Sequence, residues 1–168
     1  MNIKLKPLHE DDALVIAKLA NNRKIWNNIR DAMPHPYKKE DADFFIGSKI
    51  NEDPCLTFGI LANENICGMI GLEVQKDIYR KSAELGYWIG EPYWGKGIAS
   101  EAVRLIVKYG FEEVGIERIF AAAFEYNIGS MRVLEKNGFV KEGILRKAVY
   151  KNDAYLDEYR FAKLKSDK

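Results

Sequence analysis

The residues best suited to chemistry lie between Glu84 and Ala102, where a strand pattern changes into a helix pattern across two glycines. Gly95-Lys96-Gly97 can turn tightly, because a residue without Cβ adopts positive φ angles at no steric cost. The helix that begins at Ile98 leaves its first amides without partners, and its dipole places partial positive charge there. Such a turn can bind phosphate oxygens, although many short glycine motifs bind nothing.

A second group of reactive and aromatic side chains lies between residues 23 and 38. Two prolines, at 34 and 36, exclude a regular helix over residues 31–37. The segment carries Trp26, Arg30, His35 and Tyr37. Loops with aromatic and polar side chains often form binding surfaces, so we assign these four residues to substrate binding. The alternative is that the aromatic rings only cover the core.

Hydrophobic periodicity predicts the elements that position these residues. Strands are expected at 3–8, 55–61, 66–74, 83–89 and 118–124, followed by a C-terminal hairpin that turns at Asn152-Asp153. Helices are expected after residue 12, from an N-cap at Asp41 with Phe44, Phe45 and Ile50 on its apolar face, over 98–114, and from an N-cap at Asn127. The strand, helix and strand across 83–124 form a unit that usually makes a parallel pair. We therefore predict an α/β fold with a mixed sheet in a single domain, residues 1–168.

Composition limits the function classes. The 168 residues carry a formal net charge of +1, which does not indicate a nucleic-acid partner or a membrane-binding patch. Cys55 and Cys67 lie in or beside apolar runs and are expected to be buried reduced thiols. Two histidines and no Cys/His cluster argue against a metal site. No signal pattern or apolar run of about 18 residues is present, so we predict a soluble, cytoplasmic protein.

Three runs of sequence carry a family resemblance. Tyr93-Trp-Gly-Lys-Gly-Ile-Ala99, Asn127-Ile-Gly-Ser130 and Glu135-Lys-Asn-Gly-Phe139 resemble the GNAT superfamily of acyl-CoA N-acyltransferases, and within it the RimJ/RimL-like type that acetylates ribosomal-protein N-termini. The resemblance extends over nearly the whole chain. The family's pyrophosphate loop, Arg/Gln-x-x-Gly-x-Gly/Ala, is matched at Gly97 and Ala99, whereas Trp94 replaces the basic or amide residue.

The resemblance implies the GNAT fold: a mostly antiparallel central sheet with flanking helices, in which one parallel strand pair splays apart around the pantetheine arm of acetyl-CoA. The arm would pair with backbone groups near Tyr87–Ile89, and the amides from Gly95 to Ser100 would hold the pyrophosphate. The implied cofactor-binding residues are Tyr87, Trp88, Ile89, Gly95, Lys96, Gly97, Ile98, Ala99, Ser100, Asn127 and Ser130. No metal is implied.

The implied reaction is direct attack of a primary amine on the thioester in a ternary complex. Leu134 stands where many relatives carry the tyrosine that protonates the thiolate, and Ser130 matches the serine of the RimL-like branch. Ala122 and Val149 stand where relatives carry a glutamate base. Glu84 is the remaining candidate for that base, and a water chain is the alternative. An N–H near Ile89 could stabilise the oxyanion.

Several alternatives stay open. The acceptor could be a protein or peptide N-terminus, which family analogy favours slightly, or a small amine such as a polyamine or antibiotic. The missing tyrosine and the two empty glutamate positions also allow a non-catalytic CoA-binding or sensing module. Another kind of nucleotide-binding domain is weakly supported, because the glycine turn lacks the longer phosphate-binding patterns. An open edge of the C-terminal hairpin could pair two copies into a homodimer.

Overall fold

A computed structural model describes residues 1–167 as a seven-stranded sheet with helices on both faces. The strands are β1 (Ile3–Pro7), β2 (Thr57–Ala62), β3 (Asn65–Val74), β4 (Ser82–Ile89), β5 (Arg118–Phe124), β6 (Val140–Lys151) and β7 (Ala154–Leu164). The helices are α1 (Ala13–Ala20), α2 (Arg23–Trp26), α3 (Lys39–Lys49), α4 (Ile98–Tyr109) and α5 (Ile128–Lys136). Short 3₁₀ turns cover Glu10–Asp12, Asp77–Tyr79 and Glu91–Tyr93.

The sheet order is β1-β2-β3-β4-β5-β7-β6, and β4 with β5 forms the parallel pair among antiparallel neighbours. This confirms the predicted mixed sheet. The parallel pairing covers only Ser82–Glu84 against Arg118–Phe120, whereas β5 pairs with β7 along its whole length. The last five residues of β4 therefore diverge from β5, which opens the middle of the sheet.

Two hydrophobic clusters cover the two faces of the sheet. On one face α4 buries Ile98, Val103 and Ile106, and α5 buries Met131 and Leu134, against β3, β4 and β5. On the other face the second cluster joins α1 and α3 to residues of β2 and β3. The sheet thus separates two helical layers, and the opening between β4 and β5 connects them.

The start of α3 corrects one prediction. The N-cap is Lys38, and Asp41 is the third helical residue, whose Oδ2 accepts a hydrogen bond of 2.8 Å from the backbone N–H of Lys38. The predicted apolar face is correct only in part, since Phe45 packs against the second cluster and Ile50 is 37% exposed. Ala42 and Ile46, four residues apart, are buried, whereas Phe44 lies on the opposite side of the helix and is 81% exposed.

Other details follow the sequence more closely. The predicted helix over 98–114 ends at Tyr109 and continues as a π turn to Val114, and Gly115 ends it at a φ of 76°. Both cysteines are free thiols, and burial raises the pKa of Cys67 to about 11. Within residues 1–167, the helices are too short or too polar to cross a membrane.

Candidate active site

The opening between β4 and β5 is a cleft of about 910 Å³. Its walls come from the diverging halves of β4 and β5, from β3, from the loop between α2 and α3, from α3 itself and from the start of α5. Of the sequence-predicted residues, Arg30, Tyr37, Glu84, Tyr87, Trp88, Asn127 and Ser130 line it.

One edge of the cleft is unpaired backbone of β4. Gly90 N donates to Cys67 O at 2.8 Å, on the β3 side, and Glu117 N donates to Lys81 O at 2.9 Å, on the β5 side. Because backbone groups alternate along a strand, those of Tyr87 and Ile89 face β5. The β4–β5 pairing ends at Glu84, so these groups border the cleft. An amide-bearing arm can pair with such an edge.

Trp94 changes this edge. Its indole Nε1 donates a hydrogen bond of 2.6 Å to the carbonyl oxygen of Ile89. The tryptophan that replaces the basic residue of the family loop therefore binds a strand-end carbonyl. The Tyr87 groups and the Ile89 N–H are the backbone donors and acceptors that this contact leaves at the edge.

The glycine turn adjoins the same edge and fits a phosphate group. Gly95 and Gly97 have φ angles of 72° and 75°, and Gly97 is the N-cap of α4. A Cβ on either glycine would point into space that the described residues leave open. The amides of the first turn, from Ile98 to Ser100, have no partners inside the helix. Lys96 Nζ donates to Pro92 O at 2.8 Å and thus braces the turn from within.

Two hydroxyl groups, one from β4 and one from α5, are in contact at the cleft. Tyr87 Oη lies 2.8 Å from Ser130 Oγ. Asn127 caps α5 as predicted, because its Oδ1 accepts a hydrogen bond of 3.2 Å from Ser130 N. Burial raises the pKa of Tyr87 to about 12, and the hydrogen bond with Ser130 opposes that rise. The sequence interpretation assigned Tyr87 only a backbone role. The signal that it missed is the strand alternation, which places Tyr87 on the face toward α5.

Glu84 is an ion-pair partner. Its Oε1 lies 2.5 Å from Arg30 Nη2, and its side chain is 18% exposed. The hydrogen bond with Glu84 raises the pKa of Arg30 above its ordinary value, and the charges of Glu84, Glu73 and Glu158 add to this effect. The predicted base and one predicted substrate residue are therefore brought together across the cleft.

The four substrate residues predicted in the loop separate into two pairs. Arg30 and Tyr37 line the cleft, and burial raises the pKa of Tyr37 to about 12. Trp26 and His35 stack on each other, with ring centroids 5.8 Å apart, and Trp26 Nε1 donates to Met33 O at 3.0 Å. The structure thus places the second pair inside the loop, outside the lining of the cleft.

Lys151 anchors that loop to the C-terminal hairpin. Its Nζ lies 3.3 Å from the Trp26 ring centroid and 2.6 Å from Asp31 Oδ1, and its side chain is 2% exposed. A desolvated cation over an indole face is among the stronger contacts of this kind. The position of this loop at the wall of the cleft therefore depends on β6. A cluster of three or more His, Cys, Asp or Glu side chains able to hold a metal ion does not occur in the described part of the chain.

Comparison with known proteins gives consistent matches. The family model "Acetyltransferase (GNAT) domain" matches residues 2–140. The probable N-acetyltransferase YjcK of Bacillus subtilis is 40% identical over 121 residues, 71% of this chain and 67% of the relative. The ribosomal-protein-serine acetyltransferase of Escherichia coli is 31% identical over 107 residues, 64% of this chain and 59% of the relative. The crystal structure of spermidine N-acetyltransferase from Vibrio cholerae, in complex with CoA and spermine, has a TM-score of 0.83 at 26% identity and covers 98% of this chain and 96% of that one. These matches confirm the resemblance read from the sequence.

Proposed function

Since the chain belongs to the acetyltransferase (GNAT) family, we propose that it transfers an acetyl group from acetyl-CoA to a primary amine, by direct attack in a ternary complex. One observation carries the proposal. The pairing of β4 with β5 ends at Glu84, so an unpaired strand edge borders a cleft and leads to the free amides of α4. A strand edge followed by a helix N-terminus suits an amide-bearing arm that ends in a pyrophosphate.

We assign the arm to the backbone groups of Tyr87, because Trp94 binds the carbonyl oxygen of Ile89, and the pyrophosphate to the first-turn amides of α4. Acetyl-CoA supplies an activated thioester when bound. Around it the Ile89 N–H is the proposed oxyanion donor, because it points to the open edge. Ser130 is the proposed proton donor to the leaving sulfur. Asn127 holds Ser130 in place through the cap of α5.

Glu84 is the proposed proton acceptor for the amine, and Arg30 fixes its carboxylate on the acceptor side. An acceptor ammonium near this carboxylate must lose a proton before attack, because only the neutral amine is a nucleophile. Glu84→Gln tests the assignment through the acidic limb of the pH–rate profile. A limb identical to that of the wild type would transfer the role to water.

The acceptor is proposed to be a peptide or protein α-amine, which is supported by a relative named as a ribosomal-protein-serine acetyltransferase. The charge of the cleft favours a second candidate, a polyamine, which is the substrate class of the spermidine N-acetyltransferase neighbour. Five carboxylates line the cleft (Asp41, Glu52, Glu73, Glu84 and Glu158) against two cations, Arg30 and Lys49. An excess of negative charge attracts cationic acceptors.

Calorimetric titration with acetyl-CoA is the first test, with ATP and NAD as controls. We expect micromolar binding that Gly97→Glu abolishes, because a carboxylate would occupy the phosphate cradle. Gly115→Glu is the matched control, since Gly115 also has a positive φ, 76°, and open space around its Cβ position, but lies beyond the other end of α4. Thiol release with a seryl peptide, an alanyl peptide and spermidine then compares the acceptors. A folded protein that does not bind acetyl-CoA would refute the proposal.

The outer edge of the sheet supports a further proposal about assembly. β6 is the last strand in the sheet order, so its free backbone can pair with β6 of a second copy. We propose on this ground that two copies form a homodimer, and the sedimentation coefficient from sedimentation velocity tests this proposal.

A further inference from the structure

Tyr87 brings a second hydroxyl group to the position where Ser130 faces the cleft. Their oxygen atoms are 2.8 Å apart, and either can be the donor. Both side chains line the cleft. We propose that Tyr87 and Ser130 form a two-hydroxyl relay that delivers a proton to the leaving sulfur. The relay rests on the acetyl transfer proposed above, and it assigns Tyr87 a role as a positioning and proton-supplying residue behind Ser130.

The chemistry requires more than the serine. An aliphatic hydroxyl is a far weaker acid than a thiol, so Ser130 alone would have to become an alkoxide to protonate the sulfur. A phenol has an ordinary pKa of about 10 and a thiol one of about 8.5. Tyr87 is therefore the group in contact with Ser130 whose acidity is closest to that of the leaving group.

The proton balance of the step is complete. As the carbon–sulfur bond breaks, its electron pair stays on the sulfur. Ser130 Oγ gives its proton to that sulfur and takes one from Tyr87 Oη. The Tyr87 phenolate regains a proton from water, and the proton lost by the attacking amine passes to Glu84 and from there to solvent. Ser130 ends each cycle as a neutral hydroxyl, and no oxidant or reductant is needed.

The surroundings of Tyr87 suit this role. Burial raises the pKa of Tyr87 to about 12, so the phenol stays protonated at every pH at which the enzyme would work. Leu134, which occupies the usual tyrosine position, is fully buried in the core. The phenol comes instead from β4, across the cleft from that position.

Tyr87→Phe, Ser130→Ala and the double variant test the relay by single-turnover thiol release with acetyl-CoA and the seryl peptide or spermidine. We expect Tyr87→Phe to slow release by about 100-fold, the lower end of the range of general acid catalysis, with the KM for acetyl-CoA changed less than about twofold. The double variant should be no slower than Ser130→Ala, because Tyr87 acts through Ser130. Ser130→Thr should retain activity. Tyr109→Phe is the matched control, since Tyr109 Oη donates to Cys55 O at 2.9 Å outside the cleft.

A second readout needs no acceptor. The pH dependence of iodoacetamide alkylation of enzyme-bound CoA reports the pKa of its thiol. A hydrogen bond from the relay stabilises the thiolate, so Tyr87→Phe and Ser130→Ala should each move the midpoint up by about one pH unit, a tenfold change in acidity. Tyr109→Phe should leave it unchanged. Coinciding profiles for wild type and Tyr87→Phe, or costs that multiply in the double variant, would overturn the relay. Acetyl transfer by the wild type would still stand, whereas shifted profiles without transfer would refute the proposed function alone.

Discussion

Gly68 is the residue at which the structure makes its most quantitative prediction. It lies in β3 opposite Ile89, and a Cβ at this position would lie 2.2 Å from the carbonyl oxygen of Trp88 and 3.0 Å from Ile89 Cα. Ordinary contacts to a Cβ begin near 3.4 Å. Gly68→Ala must therefore separate the strands by about 1 Å to reach a normal contact distance.

The strand that yields is β4. β3 is held between β2 and β4, whereas the end of β4 has lost β5 as a neighbour and can move into the cleft. Overpacking of this kind costs about 1–3 kcal/mol, which for a chain of this size lowers Tm by about 2–4 °C per kcal/mol. The same shift narrows the proposed cofactor edge at Ile89. Misplacement by about 1 Å can reduce kcat/KM by about 100-fold.

Differential scanning calorimetry measures the first effect, and acetyl-CoA titration together with thiol-release kinetics measures the second. Gly59→Ala is the matched control, because it also adds a methyl group inside the sheet, yet its Cβ would first meet Leu8 Cδ2 at 3.6 Å. We expect Gly59→Ala to behave as the wild type. If Gly68→Ala has the same Tm and the same Kd for acetyl-CoA as Gly59→Ala, the close approach of β3 to β4, and the argument built on it, are wrong.

Three further predictions concern stability. The pKa of Tyr37 is about 12 in the folded chain, whereas it is about 10 in the unfolded chain. The stabilisation of the folded chain that comes from this difference is therefore complete below pH 10 and is lost between pH 10 and 12. Urea unfolding should show that the free energy of unfolding falls by up to about 3 kcal/mol over that range, a loss that is absent in Tyr37→Phe. Asn127→Ala should cost about 1 kcal/mol through loss of the α5 cap, whereas Asn127→Asp should keep it. Lys151→Met should cost about 1–2 kcal/mol and change the fluorescence of Trp26, because it removes a desolvated cation–π contact.

Much of the fold could be predicted because its signals are local. The alternation of apolar and polar residues predicted the ends of β4 and β5 to within one residue. Asn152-Asp153 is the turn between β6 and β7, as predicted. The start of α3 was not predictable in the same way. By residue type, Asp41 suits the N-cap position and the third helical position equally well. Only its hydrogen bond with the backbone N–H of Lys38 selects the third position.

In the candidate site, too, the features formed by local sequence could be predicted and the contacts between distant residues could not. The glycine turn and the Asn127 cap lie within a few residues of the backbone that they shape, so sequence alone located them. The Tyr87–Ser130 contact joins residues 43 positions apart, and the Arg30–Glu84 pair joins residues 54 positions apart. Such contacts depend on how β4 passes α5 and the loop, which no local pattern encodes. The loop between α2 and α3 also has no regular spacing of apolar residues, so the sequence could not show which of its residues line the cleft.

The alternation of β4 explains why acetyl transfer would need an opening in the sheet. Tyr87 packs with the cluster of α4 and α5, whereas Trp88 packs with the cluster of α1 and α3, and Glu84 points to the loop on that second side. One strand therefore presents the proposed acyl-donor chemistry on one face and the proposed acceptor chemistry on the other. In a continuous sheet, hydrogen-bonded backbone would separate the two groups. Because β5 leaves β4 after Glu84, an amine on one side can reach a thioester held from the other. Any variant that restored pairing beyond Glu84 would abolish transfer, because it would close the opening and occupy the β4 backbone groups proposed to hold the arm.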